Sequence, residues 1–191
     1  MPVNRLFAAE LVCSRVAAAP AVRSIEAIID ANQTGALKLC YTLKGALPRL
    51  IIPPAAPPRR VDGLWKHTCF EAFIRVKDSA GYLEFNFSPS GEWAAYEFGA
   101  YRDGAPIDDE SVAPIISTEL SAGQLTLTAM IQLDRLSLRQ SARTLRVGLS
   151  AVIEAADGSL SYWALTHPSD KPDFHHADSF ALELALPPES A

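Results

Sequence analysis

The sequence predicts an all-β fold, an antiparallel β-sandwich of about ten strands with little helix, built as one domain over residues 1–191. Three observations carry that expectation. Apolar and polar residues alternate with period two, as in Leu37, Leu39, Tyr41 and Leu43 against Lys38, Cys40, Thr42 and Lys44. Glycines recur at about the spacing of a strand plus a turn: Gly35, Gly45, Gly63, Gly81, Gly91, Gly104, Gly123 and Gly158. Helical periodicity is nearly absent. With 49% apolar residues, a chain of this length can fill one sizeable core.

The elements follow in order. Residues 22–31 carry Val22, Ile25, Ile28 and Ile29, whose branching at Cβ leaves helix and strand both open. Residues 37–43 read as a strand. The run IIPPAAPPRR, residues 51–60, has no place in a central strand and reads as an extended connection crossing one end of the sandwich. Three strand patterns then follow closely, from Thr68, from Tyr82 and from Trp93. Leu125, Leu127, Ala129 and Ile131 alternate next. Residues 133–140 allow a single helical turn. Leu145, Val147, Leu149, Ala151 and Ile153 alternate in turn, and residues 160–166 and 180–186 supply the last two strands.

The central strands have two distinct faces. Asp78-Ser79-Ala80-Gly81 signals a turn. A four-residue loop there sets Arg75 against Glu84, Phe73 against Asn86 and Glu71 against Ser88. On the other face it sets Val76 against Leu83, Ile74 against Phe85 and Ala72 against Phe87. A three-residue loop at Pro89-Ser90-Gly91 then places Phe87 opposite Trp93 and Glu84 opposite Tyr96. Apolar partners fall on one side. Glu71, Arg75, Glu84, Asn86 and Tyr96 fall on the other, edged by Tyr82 and Phe98. A slip by one residue destroys the sorting.

Carboxylates, an amide and aromatic rings on one sheet face suit sugar recognition, rings stacking on the apolar sugar face while polar groups bond hydroxyls. The plain alternative is an ordinary solvated sheet face with an Arg75–Glu84 cross-strand ion pair. Trp65, at the mouth of its strand, is the candidate aromatic platform. Trp93 belongs to the core face.

All four histidines fall in two segments: His67 in LWKHTCF, and His167, His175 and His176 in THPSDKPDFHHADSF. The second segment also carries Asp170, Lys171, Asp173 and Phe174, and reads as a binding loop between two strands. Its spacing matches no metal motif, so loop hydrogen bonding competes with metal ligation, and no cofactor is expected. Haem or a metal is the alternative, with His67 and Met130 as conceivable axial ligands. Glu71 and Glu84 form the one conceivable acid/base pair, as in a glycosidase. No nucleophile elbow, phosphate loop or dinucleotide fingerprint occurs.

A net charge of −5 opposes nucleic-acid binding. No run approaches the roughly 18 apolar residues of a membrane span. Glu10 and Arg15 interrupt the N-terminal apolar stretch, which fails as a signal peptide. Cys13, Cys40 and Cys69 are odd in number and lack metal spacing, so a cytoplasmic location with free thiols is the expectation.

The runs RVDGLWKHTCFEAFI, YLEFNFSPSGEWAAYEFGAYRDG and HPSDKPDFHHADSFAL resemble the DOMON-like domain of a bacterial family without an assigned activity. More distantly, Leu64-Trp65, Glu71 and the strand order resemble family 9 carbohydrate-binding modules. The resemblance implies a β-sandwich that binds sugar or haem in other branches. In the sugar-binding modules two tryptophans sandwich a sugar. Trp65 matches one, while the C-terminal loop offers Phe174, His175 and His176 and no tryptophan. The combined expectation is a non-catalytic module for a carbohydrate or sugar-containing metabolite, with a protein partner as a further option. Its site would draw on Trp65, His67, Glu71, Arg75, Glu84, Asn86 and Tyr96, with His167, Lys171, Asp173 and His175 from the loop. The two histidine-bearing segments are expected to converge, placing Trp65 or His67 near His167, Asp173 or His175, with Glu71 close by.

Overall fold

The computed structural model describes residues 6–16, 19–31, 35–136 and 144–186. Among these residues the chain forms strands β1 (Leu6–Glu10), β2 (Val12–Cys13), β3 (Val22–Asp30), β4 (Ala36–Gly45), β5 (Cys69–Val76), β6 (Tyr82–Phe87) and β7 (Trp93–Ala100). Then come β8 (Asp103–Pro106), β9 (Ile115–Ser121), β10 (Gln124–Gln132), β11 (Thr144–Glu154), β12 (Leu160–Ala164) and β13 (Leu182–Ala185). The smaller sheet runs β1-β3-β4-β10-β9. The larger runs β2-β12-β11-β5-β6-β7-β8, with β13 also paired to β11. The pairing is antiparallel throughout both sheets, and the fold is an all-β sandwich.

The period-two pattern explains the core. Ile25, Ile29, Leu37, Leu39, Tyr41, Leu43, Leu125 and Leu127 face inward from the smaller sheet. Phe70, Ala72, Ile74, Phe85, Phe87 and Trp93 answer them from the larger one. Each large apolar side chain so buried contributes roughly 1.5–3 kcal/mol. The Tyr41 hydroxyl crosses between the sheets and donates to the Glu71 carbonyl oxygen at 2.7 Å, which satisfies a buried polar group.

Several expectations are resolved here. Val22–Asp30 becomes strand β3, because it pairs with β4 while Ile25, Ala27 and Ile29 turn one face into the core. The helical turn after β10 is one 3₁₀ turn, Leu133–Arg135, and residues 137–143 lie outside the described residues. The Pro-rich run stays outside the ladders. It starts beside Glu154, which accepts from Ile51 N–H, and ends beside Trp93, which pairs with Arg60, so it crosses the end of the larger sheet. The second hairpin has the expected register, Phe87 opposite Trp93 and Glu84 opposite Tyr96.

The first hairpin does not. Glu71 pairs with Asn86 and Phe73 with Glu84, a shift of two residues from the expected register. A shift of two leaves every side chain on its face, so hydrophobic sorting cannot detect it. The turn decides it: Asp78 adopts a left-handed conformation (φ 66°), and the Ser79 amide bonds back to the Val76 carbonyl. Arg75 therefore does not meet Glu84. It lies opposite Arg146 of β11.

One topological detail positions the site. β12 pairs with β11 from Ser150 to Glu154, and β13 pairs with the same edge of β11 from Thr144 to Val147. Residues 165–181 leave the sheet between them. This loop arches over the outer face of the larger sheet and lays Phe174 and Phe180 on Phe73, Tyr82 and Phe98, a small second core. Gly148 makes room for it: a Cβ there would lie 2.8 Å from the Ser179 carbonyl oxygen.

Candidate functional site

The outer face of β5, β6 and β7 is not an open solvated surface. Glu71 is 2% exposed, Glu84 5% and Asn86 0%. Parity sends these residues outward, and the loop of residues 165–181 then covers them. Between loop and sheet lies a cavity of about 570 Å³, lined by Trp65, Glu71, Phe73, Glu84, Tyr96, Phe98, Arg102, Val152, Tyr162, Lys171, Pro172, Phe174 and His175. That volume suits a small ligand.

The floor is acidic and partly protonated. Ser150 Oγ donates to Glu71 Oε2 at 2.9 Å, and Asn86 Nδ2 donates to Glu84 Oε1 at 2.7 Å. Burial and then the neighbouring Glu84 push the Glu71 carboxyl well above the usual carboxylate range, against the Ser150 hydrogen bond. Burial likewise raises Glu84 to about 7, opposed by Asn86 and Arg102. Two adjacent buried carboxyls cannot both ionise cheaply.

The loop supplies the opposite wall. His175 contacts the Phe73 and Phe98 rings edge-on at 5.1 Å each. The Tyr82 hydroxyl meets its Nδ1 at 2.8 Å. Burial, and secondarily Arg102, lower His175 to about 4. The imidazole is thus neutral at physiological pH, and its Nε2, 3.7 Å from Glu84 Oε2, makes no ion pair there. Asp173 fastens the loop to the β7–β8 turn: Tyr101 Oη donates to it at 2.6 Å and Arg102 Nη2 at 2.9 Å. Burial would raise the Asp173 carboxyl, but these two donors outweigh it and hold the group below its usual range.

Trp65 closes one side. It sits on a 3₁₀ turn, Leu64–Lys66, entered through Gly63 in a left-handed conformation (φ 79°), and that turn packs on β5 and β6. The residue is 49% exposed, with Lys66 Nζ 5.3 Å from the ring centroid.

Trp65 from one histidine-bearing segment and Lys171, Phe174 and His175 from the other line the same cavity, and Glu71 is part of that lining. Glu84 and Tyr96 join them. Asn86 acts one step back, orienting Glu84. Asp173 lies behind the wall as a tether. His67 points away and pairs with Glu154 at 2.8 Å. His167 is bonded through Nε2 to the Val12 carbonyl oxygen at 2.8 Å. Arg75 lies over the Phe180 ring, 4.7 Å from its centroid, outside the cavity lining. Met130, on the other sheet, stands opposite Lys38. Among the described residues no group of three or more His, Cys, Asp or Glu side chains gathers closely enough to hold a metal ion.

Sequence reasoning missed Arg102, Tyr162 and Val152. Tyr162 and Val152 carry only the ordinary alternation of their strands. Arg102 itself takes the left-handed position of its turn (φ 56°), a conformation that an arginine does not announce, although Gly104 marks the turn.

No protein-family model matches the chain, and no curated protein matches it in sequence. Solved structures do match the fold. A candidate carbohydrate-binding protein from Bacteroides uniformis superposes with a TM-score of 0.68 at 14% identity, over 97% of this chain and 87% of that one. A family 9 carbohydrate-binding module from Caldicellulosiruptor kristjanssonii, in complex with glucose, gives 0.52 at 11% identity, over 94% and 85%. Such a module in complex with cellotriose gives 0.51 at 12% identity, over 94% and 83%. At these identities the likeness concerns the fold. The expected similarity to family 9 modules holds at that level, and the DOMON-like resemblance rests on its sequence motifs alone.

Proposed function

We propose that the protein is a non-catalytic module that binds a carbohydrate, or a metabolite carrying a sugar, in the cavity beneath residues 165–181. One observation carries this reading: aromatic rings and a hydrogen-bonding carboxyl pair line the same half-open cavity. A sugar offers a C–H face to Trp65, Tyr96, Phe98 or Phe174. Its hydroxyls both donate and accept. Glu71, whose buried carboxyl holds its proton more tightly than usual, and Glu84, titrating near 7, do the same from the floor. Lys171 adds a cation at the rim. The solved neighbours described as carbohydrate-binding, in complex with glucose and cellotriose in two cases, support the assignment. Thiols without a disulfide at Cys40 and Cys69 accord with a reducing compartment, and we infer a cytoplasmic location.

Calorimetric titration with a panel of mono- and oligosaccharides and sugar nucleotides tests it. Heat from at least one member, reduced in Trp65→Ala, is the expected result. No heat from any member, at protein concentrations that reveal millimolar binding, overturns the sugar assignment.

The raised carboxyls also favour a second reading, acid/base hydrolysis by Glu71 and Glu84. Binding is preferred because Glu71 is 2% exposed and anchored by Ser150, with little freedom to follow a reacting oxygen. Turnover of aryl glycosides, abolished in Glu84→Gln, would reverse that preference.

A further inference from the structure

Arg75 of β5 and Arg146 of β11 stand directly opposite each other on the outer face of the larger sheet. Phe180 separates them from the sugar cavity: Arg75 covers its ring, and Phe73 and Tyr82 pack against that ring edge-on. Opposed like charges across a ladder repel. Burial, then Arg146, lowers the proton affinity of Arg75. The Nε of each arginine is shut off from solvent and meets no acceptor. Among the described residues neither guanidinium takes part in an ion pair or hydrogen bond.

The nearby acids do not cure this. Glu183 lies opposite Arg146 across β13, but Lys77 Nζ holds its carboxylate at 2.8 Å. Asp178 and Asp78 influence Arg75 by charge without closing to an ion pair. Two cations thus stand side by side without a neutralising acid in ion-pair range, in a chain whose net charge is −5.

We propose that Arg75 and Arg146 form a binding site for a doubly charged oxyanion: inorganic phosphate or sulfate, or a phosphate monoester. Guanidinium forks present parallel N–H donors in fixed geometry and keep their charge at any physiological pH. A phosphate monoester carries about −1.5 to −2 at pH 7, which balances both cations, and its several oxygens accept from both forks. A carboxylate balances one cation, and chloride satisfies no fork geometry. This site is separate from the sugar cavity, so an inactive sugar panel leaves it untouched.

Thermal unfolding at constant ionic strength, with chloride replaced stepwise by inorganic phosphate or sulfate, tests the proposal. The wild-type melting temperature is expected to rise and saturate in the millimolar range. In Arg146→Gln the rise disappears, while the melting temperature in chloride stays equal to or above wild type because the repulsion is relieved. Line broadening of the phosphate ³¹P resonance by wild-type protein gives a second readout that needs no variant. A hexose phosphate that saturates at tenfold lower concentration than phosphate identifies the esterified anion, and equal concentrations identify the free one. Both results support the site if Arg146→Gln abolishes them. Identical melting in phosphate and chloride without line broadening, or a phosphate response retained in Arg146→Gln, overturns it.

Discussion

The Tyr82 hydroxyl and His175 Nδ1 meet at 2.8 Å, joining β6 to the loop that roofs the cavity. The phenol oxygen also accepts the Arg102 amide at 3.1 Å. The other ring nitrogen, Nε2, faces Glu84 at 3.7 Å. One hydroxyl therefore fastens a turn and a loop to the same strand.

Tyr82→Phe removes that hydroxyl and keeps the ring, which stacks on Phe98 at 4.6 Å. Two partners are left unsatisfied, the Arg102 amide and the His175 Nδ1. Chemical denaturation is expected to show a loss of about 1–3 kcal/mol. Hydrogen exchange should quicken in residues 165–181 before the rest of the chain. Unchanged protection there would show that the Asp173 tether alone holds the loop.

Trp65 is half exposed on a short turn, so truncating it removes contact area from the cavity without opening the core. Trp65→Ala is expected to weaken sugar binding tenfold or more, with the melting temperature within a few degrees of wild type. A large loss of stability would instead make Trp65 a structural residue.

The sandwich was legible because its determinant is local: alternation with period two assigns each residue to a face without knowledge of its partner. Trp93 in the core, and Glu71, Glu84 and Tyr96 on the outer face, all follow from that rule. What it does not encode is what covers the outer face. The alternative of an open, solvated sheet face fails because β12 and β13 share one edge of β11, and no periodicity announces that the chain between them folds back over the sheet. The Arg75–Glu84 pair failed for a related reason. Registers two residues apart sort the faces identically, and the left-handed Asp78 that chooses between them carries no distinctive signal. His67 and His167 look like candidate ligands by residue type, yet each is held by its own structural partner.

Stability should depend on pH through the buried carboxyls. Glu71 and Glu84 bind protons more tightly folded than unfolded. Their contribution is full below about 4.5 and is lost as the pH rises through the folded value, about 7 for Glu84. His175 runs the other way: its folded value, about 4, lies below 6.5, so its contribution is full above 6.5 and is lost as the pH falls through 4. The two effects oppose between about 4.5 and 6.5, and above that the carboxyls act alone. The Glu84 shift corresponds to about 3 kcal/mol across its whole titration. The melting temperature is expected to fall as the pH rises from about 6.5 through about 7, and less steeply in Glu84→Gln, whose amide oxygen still accepts from Asn86. Equal slopes in the two proteins would place Glu84 in water.

Gly148 tests the roof from beneath. It lies in β11 between the β12 and β13 pairings, where a Cβ would stand 2.8 Å from the Ser179 carbonyl oxygen and 3.6 Å from the Phe73 Cβ. Its φ is not in the left-handed region, so alanine brings no backbone strain there, and any effect comes from the contact. The atom it meets is backbone, which cannot rotate away. Gly148→Ala is therefore expected to lift the start of β13 and the Phe180 anchor, at a cost of about 1–3 kcal/mol by denaturant unfolding. Because Phe180 packs on Tyr82 and Phe73, the displacement reaches the His175 wall, and sugar affinity should fall with stability. Trp65→Ala separates those two quantities and Gly148→Ala couples them. A Gly148→Ala protein with wild-type affinity and stability would mean that the loop rests loosely on β11, and that the cavity does not depend on its seating.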